Sequence, residues 1–390
     1  MAETAFALVL NLHQPAGNLE ELLDSPLRKR QWEAKEILWA IDRIPRSLWD
    51  YEDVGRVHLS MSGTLLETLA SPGFQSRVYG AVDCGSMLWH LQNTRIIQIL
   101  GTGYYHPVLP LIHPADWDEQ LGRWQGIGQR IFSRPSFPGF WPPEMGFCME
   151  LIPALKRHGY RYVLVDSEHV EPVSPMSWAE LRYRPHIARY GGEEIIVVVR
   201  DRELSDAQES GMETGWFLRE VSQRTKYCDF PPLVTSATDG DNGGWFRNTS
   251  RHANFWPVFY EDLMQRARAR QSGGIYPSFI DDYLDLNGAD GEVTVRTGAW
   301  NTGWHHGTGF TQWTGSGAQR DALARVGATS DAIRAAREGA DPGGRWLLDE
   351  AYWRVLRAET SCNFFWGEAW LPRCEDDVTE AAGLLSRLGG

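Results

Sequence analysis

Two carboxylates of this chain each follow a short apolar run that is typical of a buried β-strand. Glu144 closes a Trp-Pro-Pro-Glu segment, and Asp239 lies in a Thr-Asp-Gly-Asp segment that ends at Asp241. A pair of carboxyl groups can break a bond between two sugars. One attacks or stabilises the oxocarbenium-like centre, and the other protonates the leaving oxygen. These residue types therefore predict an enzyme that acts on carbohydrates.

Tryptophan is the unusual component of the composition, with 18 copies in 390 residues. Large aromatic side chains dominate protein cores, and they also line the pockets that bind small molecules. Each tryptophan therefore has two interpretations of roughly equal weight, as a core residue or as a wall on which a sugar ring stacks. The candidates for pocket walls are Trp141, Trp245, Trp304 and Trp366.

The net charge of the chain indicates which kinds of partner it can bind. A formal net charge of −13 argues against nucleic acid and anionic membrane, which require basic patches, and suits a neutral sugar.

The five cysteines are widely spaced without a CxxC pair, which favours reduced thiols over disulfides or a zinc site. Because the N-terminus resembles no signal peptide, we expect a cytoplasmic protein, and no metal or cofactor is predicted.

Apolar runs and helical patterns alternate along the chain. Residues 6–10, 160–165, 194–199 and 233–237 are predicted to be strands, and 151–158 a helix that Gly159 ends. This alternation predicts a parallel sheet covered on both faces. In barrels of parallel strands the active site lies at the C-terminal strand ends. The candidates just past such ends are His13, Glu144, Asp166, Asp201 and Asp239.

The pattern changes near residue 319. Residues 322–337 and 346–361 are predicted to be helices, separated by a turn at 341–344. We therefore predict a catalytic barrel over 1–318 and a helical C-terminal subdomain over 319–390. The stretch 298–317, rich in Gly, Trp, His and Thr, is predicted to be a long loop that carries binding groups.

Five segments in order give the chain a family resemblance. It resembles glycoside hydrolase family 57, and a further segment at 200–206 resembles a recurring stretch of that family. Any one segment is a weak signal, but five in order across nearly the whole chain are a strong one. The five segments are 13–15, 101–111, 141–144, 239–242 and 359–366.

The resemblance implies an incomplete (β/α)7 barrel with a helical region, and a retaining mechanism. It makes Glu144 the nucleophile and Asp239 the general acid/base. Retention requires the two carboxyl groups to be about 5–5.5 Å apart, and the acid must hold its proton near neutral pH. The substrate contacts that we predict, besides the four tryptophans, are His13, Gln14, His106, Asp201 and Asp241.

Simpler interpretations stand beside these. A lone Glu144 would more often cap a helix, and Asp239-Gly is more often a plain turn. Asp241 competes with Asp239 for the acid role. The sequence also departs from the family pattern twice: Cys362-Asn363 stands where an Asp is usual, and Asp241 where a Glu is usual.

The predicted function is hydrolysis of α-1,4 bonds in α-glucans or maltooligosaccharides. The alternative is transfer of a glucan segment by a 4-α-glucanotransferase or, ranked lower because the chain is short, a branching enzyme. An α-galactosidase also fits the family. A metal-dependent polysaccharide deacetylase, suggested by Thr238-Asp239-Gly240 with His305-His306, and a glucan-binding protein without turnover are more remote. The oligomeric state stays open.

Overall fold

Runs of Val, Ile, Leu and Phe form the strands, because both faces of a parallel sheet are covered in a layered α/β fold. The computed structural model describes residues 3–250, 252–300, 302, 309–337 and 340–388. The strands are β1 (Thr4–Leu12), β2 (Val57–Met61), β3 (Ile97–Leu100), β4 (Gly139–Phe140), β5 (Tyr162–Asp166), β6 (Val170–Pro172), β7 (His186–Tyr190), β8 (Glu193–Arg200), β9 (Leu233–Asp239), β10 (Ile275–Pro277) and β11 (Val293–Val295).

The helices surround this sheet or follow it in the chain. They are α1 (Asn18–Asp24), α2 (Arg28–Leu48), α3 (Gly63–Ala70), α4 (Pro72–Val78), α5 (Cys84–Asn93), α6 (Pro114–Phe132), α7 (Ile152–Arg157), α8 (Trp178–Tyr183), α9 (Arg202–Glu209), α10 (Thr214–Thr225), α11 (Gly243–Arg247), α12 (Glu261–Arg268), α13 (Ile280–Asn287), α14 (Thr311–Thr314), α15 (Gly317–Arg337), α16 (Pro342–Ala358), α17 (Ser361–Phe365) and α18 (Leu371–Ser386).

Seven parallel strands form the barrel, in the order β3-β2-β1-β9-β8-β5-β4. Just past β3, Gly101 makes a parallel bridge to Phe140 of β4, which brings the two ends of this order together. Only one residue pair joins β8 to β9, Arg200 with Thr235, so the wall is thin there. The predicted incomplete (β/α)7 barrel is confirmed.

The register of the strands decides which side chains meet at the C-terminal edge. Asn11 of β1 pairs with Asp239 of β9, and Asp166 of β5 pairs with Arg200 of β8. Outside the barrel order, β10 pairs with the start of β1, β7 runs antiparallel to β8, and β6 and β11 form a separate ribbon. The four predicted strands and the helix before Gly159 are present, with ends shifted by a few residues.

The C-terminal region is helical, as predicted, with α15, α16 and α18 packed on one another. The predicted turn at 341–344 is wrong, because Asp341 caps α16 by accepting from the Gly344 amide and Pro342 occupies its first position. The division at residue 318 stays a prediction. Among the described residues, no helix is both long and apolar enough to cross a membrane.

Candidate active site

Glu144 lies on a tight turn after β4, not at the start of a long helix. Pro143–Met145 form a single 3-10 turn, in which Glu144 has φ 56° and Met145 has φ 52°. This left-handed conformation is unfavourable for residues other than glycine, by about 1–3 kcal/mol each, and it concentrates at functional sites. The backbone N–H of Trp300 donates to the Glu144 carbonyl at 3.0 Å and helps to hold the turn.

Two donors from distant segments bind the Glu144 carboxylate. Ser361 Oγ donates to Oε1 at 2.7 Å, and the indole Nε1 of Trp300 donates to Oε2 at 3.0 Å. Burial raises the pKa of Glu144, while both hydrogen bonds act to lower it because they stabilise the ionised form. The carboxylate is thus oriented at both oxygens, which suits a nucleophile.

Asp239, at the end of β9, has a different environment from that of Glu144. Its Oδ1 accepts from Asn11 Nδ2 at 2.9 Å, which follows from the pairing of these two residues across β1 and β9. Burial raises the pKa of Asp239 well above its ordinary value, and the negative charges of Asp241 and Glu144 raise it further. The raised pKa favours the protonated form of Asp239, which suits a general acid.

Asp241 lies beside this acid. Its Oδ2 accepts from Gln14 Nε2 at 2.9 Å, and the Arg247 side chain donates to its backbone carbonyl at 2.8 Å. Burial raises the pKa of Asp241 to about 6. Asp241 is therefore mostly ionised at pH 7, and its charge helps Asp239 to retain a proton. This division of roles favours Asp239 as the acid, as predicted.

A stacked pair of histidines lies beside Glu144, with His106 Nδ1 3.6 Å from Glu144 Oε1. The rings of His13 and His106 lie 4.1 Å apart and nearly parallel, and His106 Nδ1 lies 3.3 Å from Ser361 Oγ. Burial lowers the pKa of both rings, for His106 to about 3. Within the described part of the chain, both nitrogens of His13 and Nε2 of His106 have no hydrogen-bond partner. Neutral imidazoles of this kind can bind sugar hydroxyls.

Three residues at the site went unpredicted. Ser361 and Trp300 hold the Glu144 carboxylate, and Asn11 binds Asp239. Ser361 lies inside the fifth family-like segment and Asn11 two residues before the first, so both had a weak local signal. Trp300 lies in the stretch 298–317 that was predicted to carry binding groups, but no motif singled it out within that stretch.

Two predicted substrate contacts are not supported by their surroundings. Trp141 is completely buried and packs edge-on against Trp300 with ring centroids 5.6 Å apart, so it lies behind the cleft wall. Asp201 is also completely buried. Its side chain caps α9 through the Leu204 amide and accepts from the Tyr183 hydroxyl at 2.6 Å, which is a structural role.

The remaining aromatic predictions have varied positions. Trp245 lies half-buried on α11, and its indole N–H has no partner among the described residues. Trp366 is more than half exposed and packs edge-on against Phe365. Trp304 lies outside the described residues. The Cys362 thiol is close enough to Glu144, Asp239 and Asp241 for their charges to add to the burial that raises its pKa.

Comparison with known proteins agrees with this site. The sequence profile described as Glycosyl hydrolase family 57 matches residues 8–274. An α-amylase of Pyrococcus furiosus is 26% identical over 270 residues, which are 68% of this chain and 36% of that protein. A 4-α-glucanotransferase of Thermococcus litoralis is 23% identical over 271 residues, 70% of this chain and 36% of that protein. The chain thus spans about a third of the length of these curated relatives.

A solved structure extends the comparison to the whole fold. The branching enzyme of Pyrococcus horikoshii superposes with a TM-score of 0.73 at 15% identity, covering 98% of this chain and 88% of that one. The likeness extends over nearly all of that chain, and at this identity it shows a shared fold. The family match covers more than half of the sequence and includes both strand-end carboxylates. The chain belongs to glycosyl hydrolase family 57.

Proposed function

We propose that this protein is a retaining glycosidase that cleaves α-1,4-glucosidic bonds of α-glucans or maltooligosaccharides by double displacement. Glu144 attacks the anomeric carbon and forms a glycosyl-enzyme intermediate, while Asp239 protonates the departing oxygen. Asp239 then removes a proton from the incoming water, which releases the sugar with its configuration retained.

The observation that carries this proposal is the contrast between the two carboxyl groups. Glu144 receives a hydrogen bond at each oxygen, which favours the ionised form that a nucleophile needs. Asp239 has one amide donor, and its pKa is raised by burial and by the charges of three carboxylates, which favours the protonated form that an acid needs. Groups whose environments separate their proton affinities in this way are typical of acid–base pairs.

The 4-α-glucanotransferase activity is the second candidate. It uses the same two carboxyl groups and differs only in the acceptor, a sugar hydroxyl instead of water. The named relative from Thermococcus litoralis favours keeping it. Branching differs from it only in the position of the acceptor hydroxyl.

A product time course on maltoheptaose tests the proposal. We expect only shorter maltooligosaccharides as products. Glu144→Gln should reduce turnover on the order of 10³-fold or more, because the attacking carboxylate is replaced by an amide. Glu150→Gln is the matched control, since Glu150 is an exposed acid six residues along the same segment. Early products longer than seven units would instead identify a transferase.

Two other outcomes would contradict the proposal. Full activity in Glu144→Gln would remove Glu144 from the mechanism. Binding of maltoheptaose without turnover, on this and other linkages, would favour a glucan-binding protein that has lost catalysis. A cytoplasmic location is part of the proposal and is tested by fractionation of the source cells.

A further inference from the structure

Trp300 touches Glu144 in two places. Its indole N–H donates to Oε2 and its backbone N–H donates to the Glu144 carbonyl, each at 3.0 Å. The ring also packs edge-on against the buried Trp141. One residue therefore fixes both the strained backbone of the predicted nucleophile and one oxygen of its carboxylate.

The backbone around Trp300 is held by its own set of contacts. Gly298 and Phe147 exchange two backbone hydrogen bonds, of 2.9 and 3.1 Å. The Ala299 carbonyl lies 3.0 Å from His169 Nε2, and the Arg202 guanidinium donates to the Thr302 carbonyl at 2.9 Å. Trp300 is thus anchored on the side that leads into it and again two residues later.

A buried charge cluster lies behind this anchor. Asp166 Oδ1 accepts from Arg202 Nε at 2.7 Å, and Oδ2 accepts from Arg200 Nη1 at 2.8 Å. All three side chains are at least 97% buried. A carboxylate with a cation at each oxygen in such a place is rigid, because loss of any one contact leaves an uncompensated charge.

Arg200 connects this cluster to both catalytic groups. Its guanidinium carbon lies 5.9 Å from the centre of the Trp300 ring, within range of a cation–π contact. Its Nε donates to the Ala237 carbonyl at 2.7 Å, two residues before Asp239 on β9. The planar fork of arginine can make these contacts and the Asp166 pair at once, whereas lysine cannot.

We propose that Arg200 is a positioning residue, which from its ion pair with Asp166 sets Trp300 against Glu144 and fixes Glu144 relative to the β9 end that carries Asp239. This inference rests on the proposed function for its kinetic consequence. The experiment distinguishes this role from that of a purely structural ion pair in the barrel wall.

The first measurement is the pH dependence of kcat/KM for Trp300→Phe and Arg200→Lys. Trp300→Phe keeps the ring and removes the N–H donor to the ionised carboxylate, so the acidic limb should move up by about one pH unit. Arg200→Lys should move it in the same direction and lower kcat about tenfold, with a smaller change in KM. The matched control is Arg224→Lys, which alters the ion pair of Asp201, the residue that follows Arg200 at the end of β8.

A double variant tests the connection between the two residues. In the Trp300→Phe background, Arg200→Lys should have a smaller effect on kcat than in the wild type. The hydrogen bond from the Trp300 indole to Glu144, through which Arg200 is proposed to act, is already absent there. Fully additive losses, or an acidic limb that stays in place in both single variants, would overturn the proposal and leave a structural ion pair.

The inference can also be tested without turnover. Infrared difference spectra, wild type minus Glu144→Gln, follow the ionisation of this one carboxyl group. Its midpoint should rise in Trp300→Phe and in Arg200→Lys but not in Arg224→Lys. If the wild type had no glucan activity, the proposed function would fail while this titration still decided the positioning role. If Arg200→Lys did not fold, Trp300→Phe would still decide whether Trp300 controls Glu144.

Discussion

Two aspartates end parallel strands of the same barrel, and their surroundings differ completely. Asp166, the last residue of β5, is fully enclosed and bonded to Arg200 and Arg202. Asp239, the last residue of β9, has one neutral amide donor, from Asn11, and lies near three further carboxyl groups whose charges raise its pKa. A buried acid with matched cations stabilises a fold, whereas a buried acid without them holds a raised pKa.

At one edge of the sheet, some strand ends hold the barrel wall together and others carry the proposed catalytic groups. The ends of β5 and β8 carry paired charges that hold the wall where only one residue pair joins β8 to β9. The ends of β1 and β9 carry side chains that depend on one or two neutral donors. Position at a strand end predicts proximity to the cleft, but the partners decide which acids react.

The largest expected effect is on the rate of Asp239→Asn. Loss of the general acid should reduce kcat/KM on maltooligosaccharides by about 10²–10⁴-fold. With an α-maltosyl fluoride, whose leaving group needs no protonation, the first step should fall far less. The basic limb of the pH profile, which reports ionisation of Asp239 in the wild type, should also disappear. Steady-state rates on the two substrates measure both effects.

The control for this change is Glu209→Gln. Glu209 is an exposed acid that accepts from Thr238, next to Asp239 in the chain, so the variant keeps the catalytic pair. Equal losses on the fluoride and on the maltooligosaccharide would show that Asp239 is not the proton donor.

The next expected effect is on stability. Asp166→Asn should lower the free energy of unfolding by about 3–5 kcal/mol, because the buried Arg202 loses its counter-charge and the buried Arg200 keeps only the half-exposed Asp206. Asp239→Asn should leave it unchanged or raise it, because an amide avoids the free energy of burying a carboxyl group that is ionised in the unfolded chain. Urea unfolding of both variants measures the contrast.

Asp206→Asn is the matched control for Asp166→Asn. Asp206 also pairs with Arg200, at 2.9 Å, but it is about half exposed, so its loss should cost at most about 1 kcal/mol. If Asp166→Asn and Asp239→Asn destabilised the protein equally, the distinction between the two strand ends would be wrong.

The sequence predicted the barrel, and the positions of Glu144 and Asp239 at strand ends, because both depend on local patterns. Fully buried strands are continuous apolar runs, and an acid directly after such a run must lie at the C-terminal edge. Asp201 satisfied the same rule and was still misassigned, because it is also the residue before α9, where an aspartate caps a helix. An acid after a strand and an acid before a helix coincide at Asp201, and in the structure its side chain caps α9.

The rest of the site depends on long-range contacts. Trp300 and Ser361 reach Glu144 from 156 and 217 residues away, and no local pattern fixes such a meeting. For the same reason composition did not show that Trp300 contacts the nucleophile while Trp141 lies behind it. Pairing between β1 and β9, in contrast, places Asn11 beside Asp239 once the strand order is known.

The smallest expected effect comes from Asp241, whose pKa is raised by burial from 3.8 to about 6. A raised pKa means that the folded state binds the proton more tightly than the unfolded chain does. This tighter proton binding stabilises the folded state fully below about pH 4, and the stabilisation is lost as the pH rises through 6. Because one pKa unit corresponds to about 1.4 kcal/mol, the ionised carboxylate costs up to about 3 kcal/mol at pH 7.

Asp241→Asn removes this cost, so the variant should gain stability relative to the wild type between pH 4 and 7, with the full difference at pH 7. The basic limb that reports Asp239 should move to lower pH, because one charge that raises the pKa of Asp239 is gone. Urea unfolding at both pH values and a pH profile measure this, with the exposed Asp376→Asn as control. A variant that is less stable at pH 7 would mean that the Gln14 hydrogen bond outweighs desolvation. The β9 end would then be held together by its polar contacts, as the β5 end is.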